Sequence, residues 1–401
     1  MKGTLVDVVR AQVMQSRDFR QLASQCLGAW PVSILECLEQ LVSEGGPARD
    51  KALWLADDAC EGLAEDLAGG DELPLEHPLD GDWRFAPAVP DRILRRLCEA
   101  AGPGERILLA CVPTLVIAAS RLKMSHRIAV AVRAGDPVCE ALRSLVPDAL
   151  YLDFDDLRGL EASAGVIDPP WYHDVAAPLI QRVSTGIRQG GVLLVCGPDL
   201  LTAASSARVL TGNLGDLYPG LASLGRTFRV RYRTPLFEFR ALQAAGIRNV
   251  SAFWRTGLLR PFIRTGAFNG SMQPLASDGG WKEVPHQSGR IWVRAPIARG
   301  QKARIVVADS VSRTSPLRDV ASAWTSANTV VIGGTIEEMQ NLALGATSPT
   351  APILQRLEQS DSKPSWRRRA TQRPKLAPSG HGWDSSRGLR ESGFGTALPE
   401  I

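Results

Sequence analysis

The chain has 401 residues, 44% of them hydrophobic and 22% charged, a balance that excludes a wholly disordered, a collagen-like or a polytopic membrane protein and leaves room for two or three domains. The longest apolar run, Ile107 to Ser120, carries Pro113 and is shorter than the roughly 20 residues a bilayer requires, and Asp7, Arg10 and Gln12 break the N-terminal stretch where a signal peptide needs an apolar core; the expectation is a cytoplasmic protein with no membrane partner. The net charge of +4 is uneven: residues 1–100 hold 10 Lys and Arg against 18 Asp and Glu, a balance of −8, so the rest carries +12, enough to keep a polyanion among the candidate partners.

From Leu5 to Leu41 apolar residues recur at helical spacing, and Pro31-Val32-Ser33 opens a second amphipathic segment that Gly45-Gly46-Pro47 stops. A further helix is expected from Asp50 to Leu67. These helices make residues 1–67 a helical N-terminal module, read as a packing or partner-binding unit in preference to a DNA-contacting one because of the local negative charge. Residues 68–90 are rich in Gly, Pro and acid and read as a linker, yet Trp83, Arg84 and Phe85 within them suit either a loop laid across a pocket or a simple hydrophobic docking.

After residue 90 the pattern alternates. A helix is expected at Asp91–Ala101, then strands at Arg106–Ala110, His126–Val132, Ala149–Phe154, Gly165–Ile167 and Gly190–Pro198, with helices at Leu115–Lys123, Pro137–Leu145 and Val175–Arg188 between them. Strands apolar throughout and separated by helices specify an α/β fold, a Rossmann-like doubly wound, mostly parallel sheet, expected over residues 91–265. Ligands in such sheets sit beyond the carboxyl ends of the strands, at the loops after Ala110, Val132, Phe154 and Ile167. Further strands are expected at Phe228–Tyr232 and Val250–Trp254, and Glu238 and Arg240 are expected either to line the site or, the favoured reading, to pair with each other on the surface. Alternation at Gly289–Ala295 and Ala303–Asp309 predicts antiparallel strands within a small mixed extension, residues 266–358. Residues 359–401, dominated by Pro, Ser, Gly and Arg, read as a disordered basic tail.

The seven cysteines include no C-x-x-C pair and the five histidines no pair at metal-ligand spacing, so buried thiols and no metal site are expected. Hydrolase, P-loop and zinc-protease motifs are missing as well. The chemistry-bearing motif is Asp168-Pro169-Pro170-Trp171-Tyr172, directly after the fourth strand. Two prolines cannot donate and hold the chain extended, which fixes the Asp168 side chain and the Pro169 carbonyl as outward acceptors beside an aromatic wall, an arrangement suited to an amino group facing an electrophile.

These residues resemble the class I S-adenosylmethionine-dependent methyltransferases of the amino-methylating type, which carry D/N/S-P-P-Y/F/W at this place; the resemblance spans about residues 85–260. It implies S-adenosyl-L-methionine as cofactor and methyl transfer to an amino nitrogen, foremost adenine N6 in nucleic acid, with Asp168 and Pro169 accepting from the amine and Trp171 or Tyr172 stacking on the target. Cofactor contacts would then come from Ala110, Val112, Pro113 and Thr114 after the first strand, and from Asp136, Asp153 and Asp155 after the second and third. The sequence departs from the family in having no glycine in Ala110-Cys111-Val112-Pro113-Thr114 and Arg133 where a ribose-binding acid is usual. Two alternatives stay open: transfer to a protein lysine or a polyamine, as in branched-polyamine synthases, for which Asp153, Asp155, Asp156 and the acidic linker suit a cationic substrate; and a catalytically degenerate scaffold kept for binding. The oligomeric state is not set by the sequence.

Overall fold

The computed structural model describes residues 4–61, 72–77, 83–133, 136–171, 173–199, 201–202, 220–266, 281–286, 289–294, 306–308, 321–326 and 329–333. Four helices open the chain: α1 (Leu5–Val13), α2 (Phe19–Gln25), α3 (Pro31–Glu44) and α4 (Arg49–Cys60). Thr4 and Asp7 form a capping box at the start of α1, Asp18 caps α2, and α3 begins on Pro31 and stops at Gly45, whose φ of 78° a side chain would resist. The expected helix from Asp50 to Leu67 is present as α4; residues 62–71 lie outside the described residues.

The main sheet follows the expected alternation: α5 (Val89–Ala101), β1 (Ile107–Ala110), α6 (Pro113–Arg121), β2 (Ile128–Val132), α7 (Pro137–Leu145), β3 (Leu150–Asp153), β4 (Ala162–Ile167), α8 (His173–Gly186), β5 (Ile187–Pro198), β6 (Leu221–Ser223), β7 (Phe228–Arg231), α9 (Leu236–Ala244) and β8 (Thr256–Arg264). The spatial order is β3-β2-β1-β4-β5-β8-β6, with β7 also on β8. Strands β1 to β5 are parallel, and every residue of β1, β2 and β4 is buried, as two helical layers demand. The order of the first five strands is that of the doubly wound Rossmann-like fold, and it reverses direction between β1 and β4.

One expectation is corrected and one strand not expected from sequence appears in the second half of this sheet. Val250–Trp254 is not a strand. Val250 and Trp254 are apolar because they pack, with α9, into the core of α1–α4, where Trp254 meets Trp30 edge-on at 5.7 Å between ring centroids. The strand is instead Thr256–Arg264, which runs antiparallel to β5 and carries β7 on its first half and β6 on its second. Pro261 hid it. That proline falls in the gap between the two partners, so its missing N–H withdraws no ladder bond.

Linker residues Arg84–Ala86 join the edge of this sheet: Phe85 bridges Tyr232, Ala86 N–H donates to the Arg231 carbonyl and Arg233 N–H to that of Arg84. A second, five-stranded antiparallel sheet is built from β9 (Lys282–His286), β10 (Gly289–Val293), β11 (Val306–Ala308), β12 (Ala323–Thr325) and β13 (Val330–Ile332), in the order β11-β13-β12-β10-β9. Residues 72–77 are fastened to it, since Arg290 donates to the Leu75 carbonyl and His77 Nε2 sits 2.9 Å from the Trp324 carbonyl oxygen. Burial pushes His77 down to about 3, so the ring stays neutral there. The expected tail, 359–401, lies outside the described residues. No helix among the described residues is long and apolar enough to cross a membrane.

The β1–β4 register depends on Gly165, where a Cβ would come within 2.9 Å of the Leu108 carbonyl oxygen, a backbone atom that cannot swing away. Gly165→Ala is expected to cost roughly 1–3 kcal/mol, measured as a lower urea midpoint.

Candidate functional site

Strands β1 and β4 are neighbours whose chains leave in opposite directions, so their carboxyl ends open the crevice in which a ligand can lie. The pairing continues one step past the strands: Asp168 N–H donates to the Ala110 carbonyl at 3.2 Å. The two segments singled out in the sequence, Ala110–Thr114 and Asp168–Trp171, are therefore side by side.

The first segment makes its tight turn without glycine. Cys111 takes a φ of 53°, the left-handed conformation that costs an ordinary residue about 1–2 kcal/mol. Val112 then points into the core and Pro113 starts α6, whose amino end has no side-chain cap. The Thr114 hydroxyl oxygen beside it is buried and has no hydrogen-bond partner. An uncapped helix start with an unsatisfied hydroxyl offers donors to a carboxylate.

The second segment buries its acid. Asp168 is 1% exposed and Trp171 7%. The Trp171 indole N–H donates to Asp168 Oδ1 at 3.2 Å, while Oδ2 is buried without a partner. Burial pushes the Asp168 carboxyl up to about 7, against the pull of Tyr232 and Trp171, which hold it down. Cys196, one residue past the β5 position paired with Ile167, faces the same place; its thiol is raised far above the ordinary range by burial and by the Asp168 charge. Tyr232 arrives from the end of β7, is fully buried, and its hydroxyl is also without a partner. Burial, Asp168 and Cys196 all raise it.

Aromatic rings close the acid in. Trp83 lies 4.5 Å from Trp171, Phe85 stacks on Tyr232 at 4.8 Å, and both tryptophans meet Tyr232 edge-on at 5.6 Å. Gly257 makes room for them: a Cβ there would come within 2.8 Å of Tyr232 Cε2 and 3.2 Å of Trp171 Cζ2. Behind Trp83 the Arg255 guanidinium sits 3.6 Å above the ring and pairs with Glu238, both fully buried or nearly so. The expected Glu238–Arg240 surface pair is thus corrected. Glu238 faces inward on α9 because an arginine 17 positions later is delivered into the same interior.

The structure separates the predicted residues. Asp168, Pro169, Trp171, Ala110, Val112, Pro113 and Thr114 form one neighbourhood at the β1–β4 ends, with Pro170 partly exposed beside them; Tyr172 lies outside the described residues. Trp171 does not present a free face to a target, being held in the ring cluster by Asp168 and Trp83. Asp136 caps α7 through Val138 N–H, Asp153 caps the short turn at Phe154–Asp156, and Asp155 pairs with the buried Arg182 at 2.7 Å. Of these acids Asp153 stands level with the end of β2, opposite Val132. Cys196, Tyr232 and Gly257 were not read from the sequence; an alternating strand ending on tyrosine before a Thr-Pro break was the available signal for Tyr232. Among the described residues no group of His, Cys, Asp and Glu is placed to hold a metal ion.

No protein-family model matches the sequence. No curated protein matches it. Solved structures similar to the chain include a branched-chain polyamine synthase mutein from Thermus thermophilus, in complex with N4-aminopropylspermidine and 5′-methylthioadenosine, at 15% identity and a TM-score of 0.44 over 67% of this chain and 90% of that one. A precorrin-6y C5,15-methyltransferase from Geobacter metallireducens is similar at 12% identity and a TM-score of 0.29, over 47% of this chain and 99% of the other. The fold assignment rests on strand order and direction.

A raised carboxyl has a stability signature. Between the ordinary value of 3.8 and about 7, folded Asp168 keeps a proton that the unfolded chain releases, so the stability it contributes is complete at low pH and is lost as pH rises through that window. Asp168→Asn, neutral at all pH, is expected to melt above the parent protein at pH 8, by an amount equivalent to roughly 2–4 kcal/mol. The two melting curves should converge toward pH 4.

Proposed function

We propose that the chain is an S-adenosylmethionine-dependent transferase that alkylates an amine nitrogen, and that its acceptor is an aliphatic amine. The observation that carries this reading is the hydrogen bond from Asp168 N–H to the Ala110 carbonyl, which sets a buried, partly unsatisfied carboxyl against the turn that opens α6. The residues there suit the cofactor: the uncapped start of α6 and the orphan Thr114 hydroxyl would take its carboxylate, and Asp153, at the end of β3 two strands further along, would take a hydroxyl. When bound, that cofactor supplies an electrophilic carbon on a sulfonium sulfur.

The chain's own part is to present a nitrogen with a free electron pair. An aliphatic amine enters as an ammonium ion and must lose a proton. Asp168, buried and raised to about 7, takes a proton near neutrality where an ordinary carboxyl would not. The ring cluster keeps the acid dry, which strengthens its attraction for a cation. Adenine N6, the first expectation from sequence, asks for a free aromatic face that Trp171 does not offer; Tyr172, the other residue expected to stack, lies outside the described residues. Several arginines of the basic segment are engaged internally as well, Arg229 with Asp199, Arg233 with Glu76 and Arg255 with Glu238.

The test begins with calorimetric titration of S-adenosylmethionine and, in parallel, its decarboxylated form, followed by transfer assays with a diamine and with an adenine-containing oligonucleotide. Micromolar cofactor binding and transfer to the diamine are expected, with kcat/KM falling below about pH 7 as one carboxylate is protonated. Asp168→Ala should lower the rate by roughly 10²–10⁴-fold. Retained turnover in that variant, or transfer to the oligonucleotide alone, would overturn the proposal.

A further inference from the structure

Two polar atoms in the core of this site face each other without a well-formed hydrogen bond to any neighbour: Asp168 Oδ2, at the end of β4, and the Tyr232 hydroxyl, at the end of β7. Leaving a buried polar group unmade costs about 1–3 kcal/mol, and here two occur together, each on a residue at or below 1% exposure. They are close enough to alter each other's proton affinity. The other carboxylate oxygen, Oδ1, is already satisfied by Trp171.

We infer that Tyr232 is the second polar contact of the acceptor amine, its hydroxyl and Asp168 Oδ2 each receiving one N–H of the same nitrogen. The inference rests on the amine-transfer reading above and adds to it the identity of a residue and a rule for the substrate. Tyr232 has no freedom to serve elsewhere: Phe85 stacks on one face, Trp83 and Trp171 press its edges, and Gly257 underlies it at a distance that admits no side chain. The phenol stays protonated at physiological pH, since burial and its acidic neighbours push it up. A neutral hydroxyl can accept the amine's N–H while its own proton points to the carboxylate, so all three groups are satisfied together. The geometry selects nitrogens with at least two hydrogens, primary amines or secondary ammonium ions, and rejects tertiary ones, which leave one oxygen unmade.

The full-length protein is titrated calorimetrically with 1,4-diaminobutane and with its N,N,N′,N′-tetramethyl analogue. The parent should prefer the unmethylated diamine, and Tyr232→Phe should weaken that binding roughly 3–10-fold, the worth of one hydrogen bond, while leaving the analogue's affinity unchanged. Unchanged affinity for both probes in a folded Tyr232→Phe protein makes Tyr232 a packing residue and overturns the inference alone. Failure of the parent to bind either diamine overturns the amine reading itself. If Tyr232→Phe does not fold, 3-fluorotyrosine placed at 232 swaps one ring hydrogen for fluorine and makes the hydroxyl more acidic; a shifted diamine affinity then supports the contact and an unchanged one removes it.

Discussion

Removing one carboxyl group from water organises this protein. An isolated ionised carboxylate in an apolar interior is costly enough that the group changes its proton affinity instead, and Asp168 does so. Everything around it either makes that burial tolerable or makes it useful. The Trp171 indole satisfies one oxygen, the Ala110 carbonyl fixes the backbone, and the rings of Trp83, Phe85 and Tyr232 exclude solvent. The proton affinity that results is a property of the enclosure and not of the aspartate.

The enclosure has its own support. Trp83 is wedged between Trp171 and the Arg255 guanidinium, and Arg255 is held by Glu238 from α9, the helix that also seals the core of α1–α4. On the other side Glu76 accepts from Arg233, and Arg84 beside it donates to the Pro74 carbonyl. Residues 72–77 are thereby attached both to the segment that carries Tyr232 and, through Arg290 and His77, to the antiparallel sheet. Buried ion pairs of this kind contribute little net stability, yet losing one partner is expensive. The Arg255 guanidinium, held by Glu238, stacks on Trp83 at 3.6 Å from its ring centroid.

How much of this was legible in the sequence depends on the range of the interaction. The five parallel strands were readable because each is an apolar run whose meaning is local, and Asp168-Pro169-Pro170-Trp171 was readable because proline restricts its own backbone. The carboxyl end of β1 was placed correctly even though its turn uses Cys111 in a left-handed conformation where glycine is usual. What escaped was decided by distant partners. Strand β8 was obscured because the tolerance for Pro261 comes from a gap between β6 and β7. Val250 and Trp254 looked like strand residues because apolar character does not reveal which core receives it. Glu238 looked like half of a surface pair because nothing within a helical turn shows that Arg255 will be buried against it. Tyr232 shares no local pattern with Asp168, 64 positions earlier.

The placement of β8 also sets when this site can exist during synthesis. Among the described strands β8 is the one that pairs with β6 and β7, and it lies between them and β5. Tyr232 is therefore made before the strand on which β7 docks, and its N–H bonds to the Arg255 carbonyl that follows it. Until residues 255–257 have been made, neither the Arg255 carbonyl that anchors Tyr232 nor the Gly257 beneath the rings exists. The acid pocket is thus completed by the last strand of the main sheet to be made.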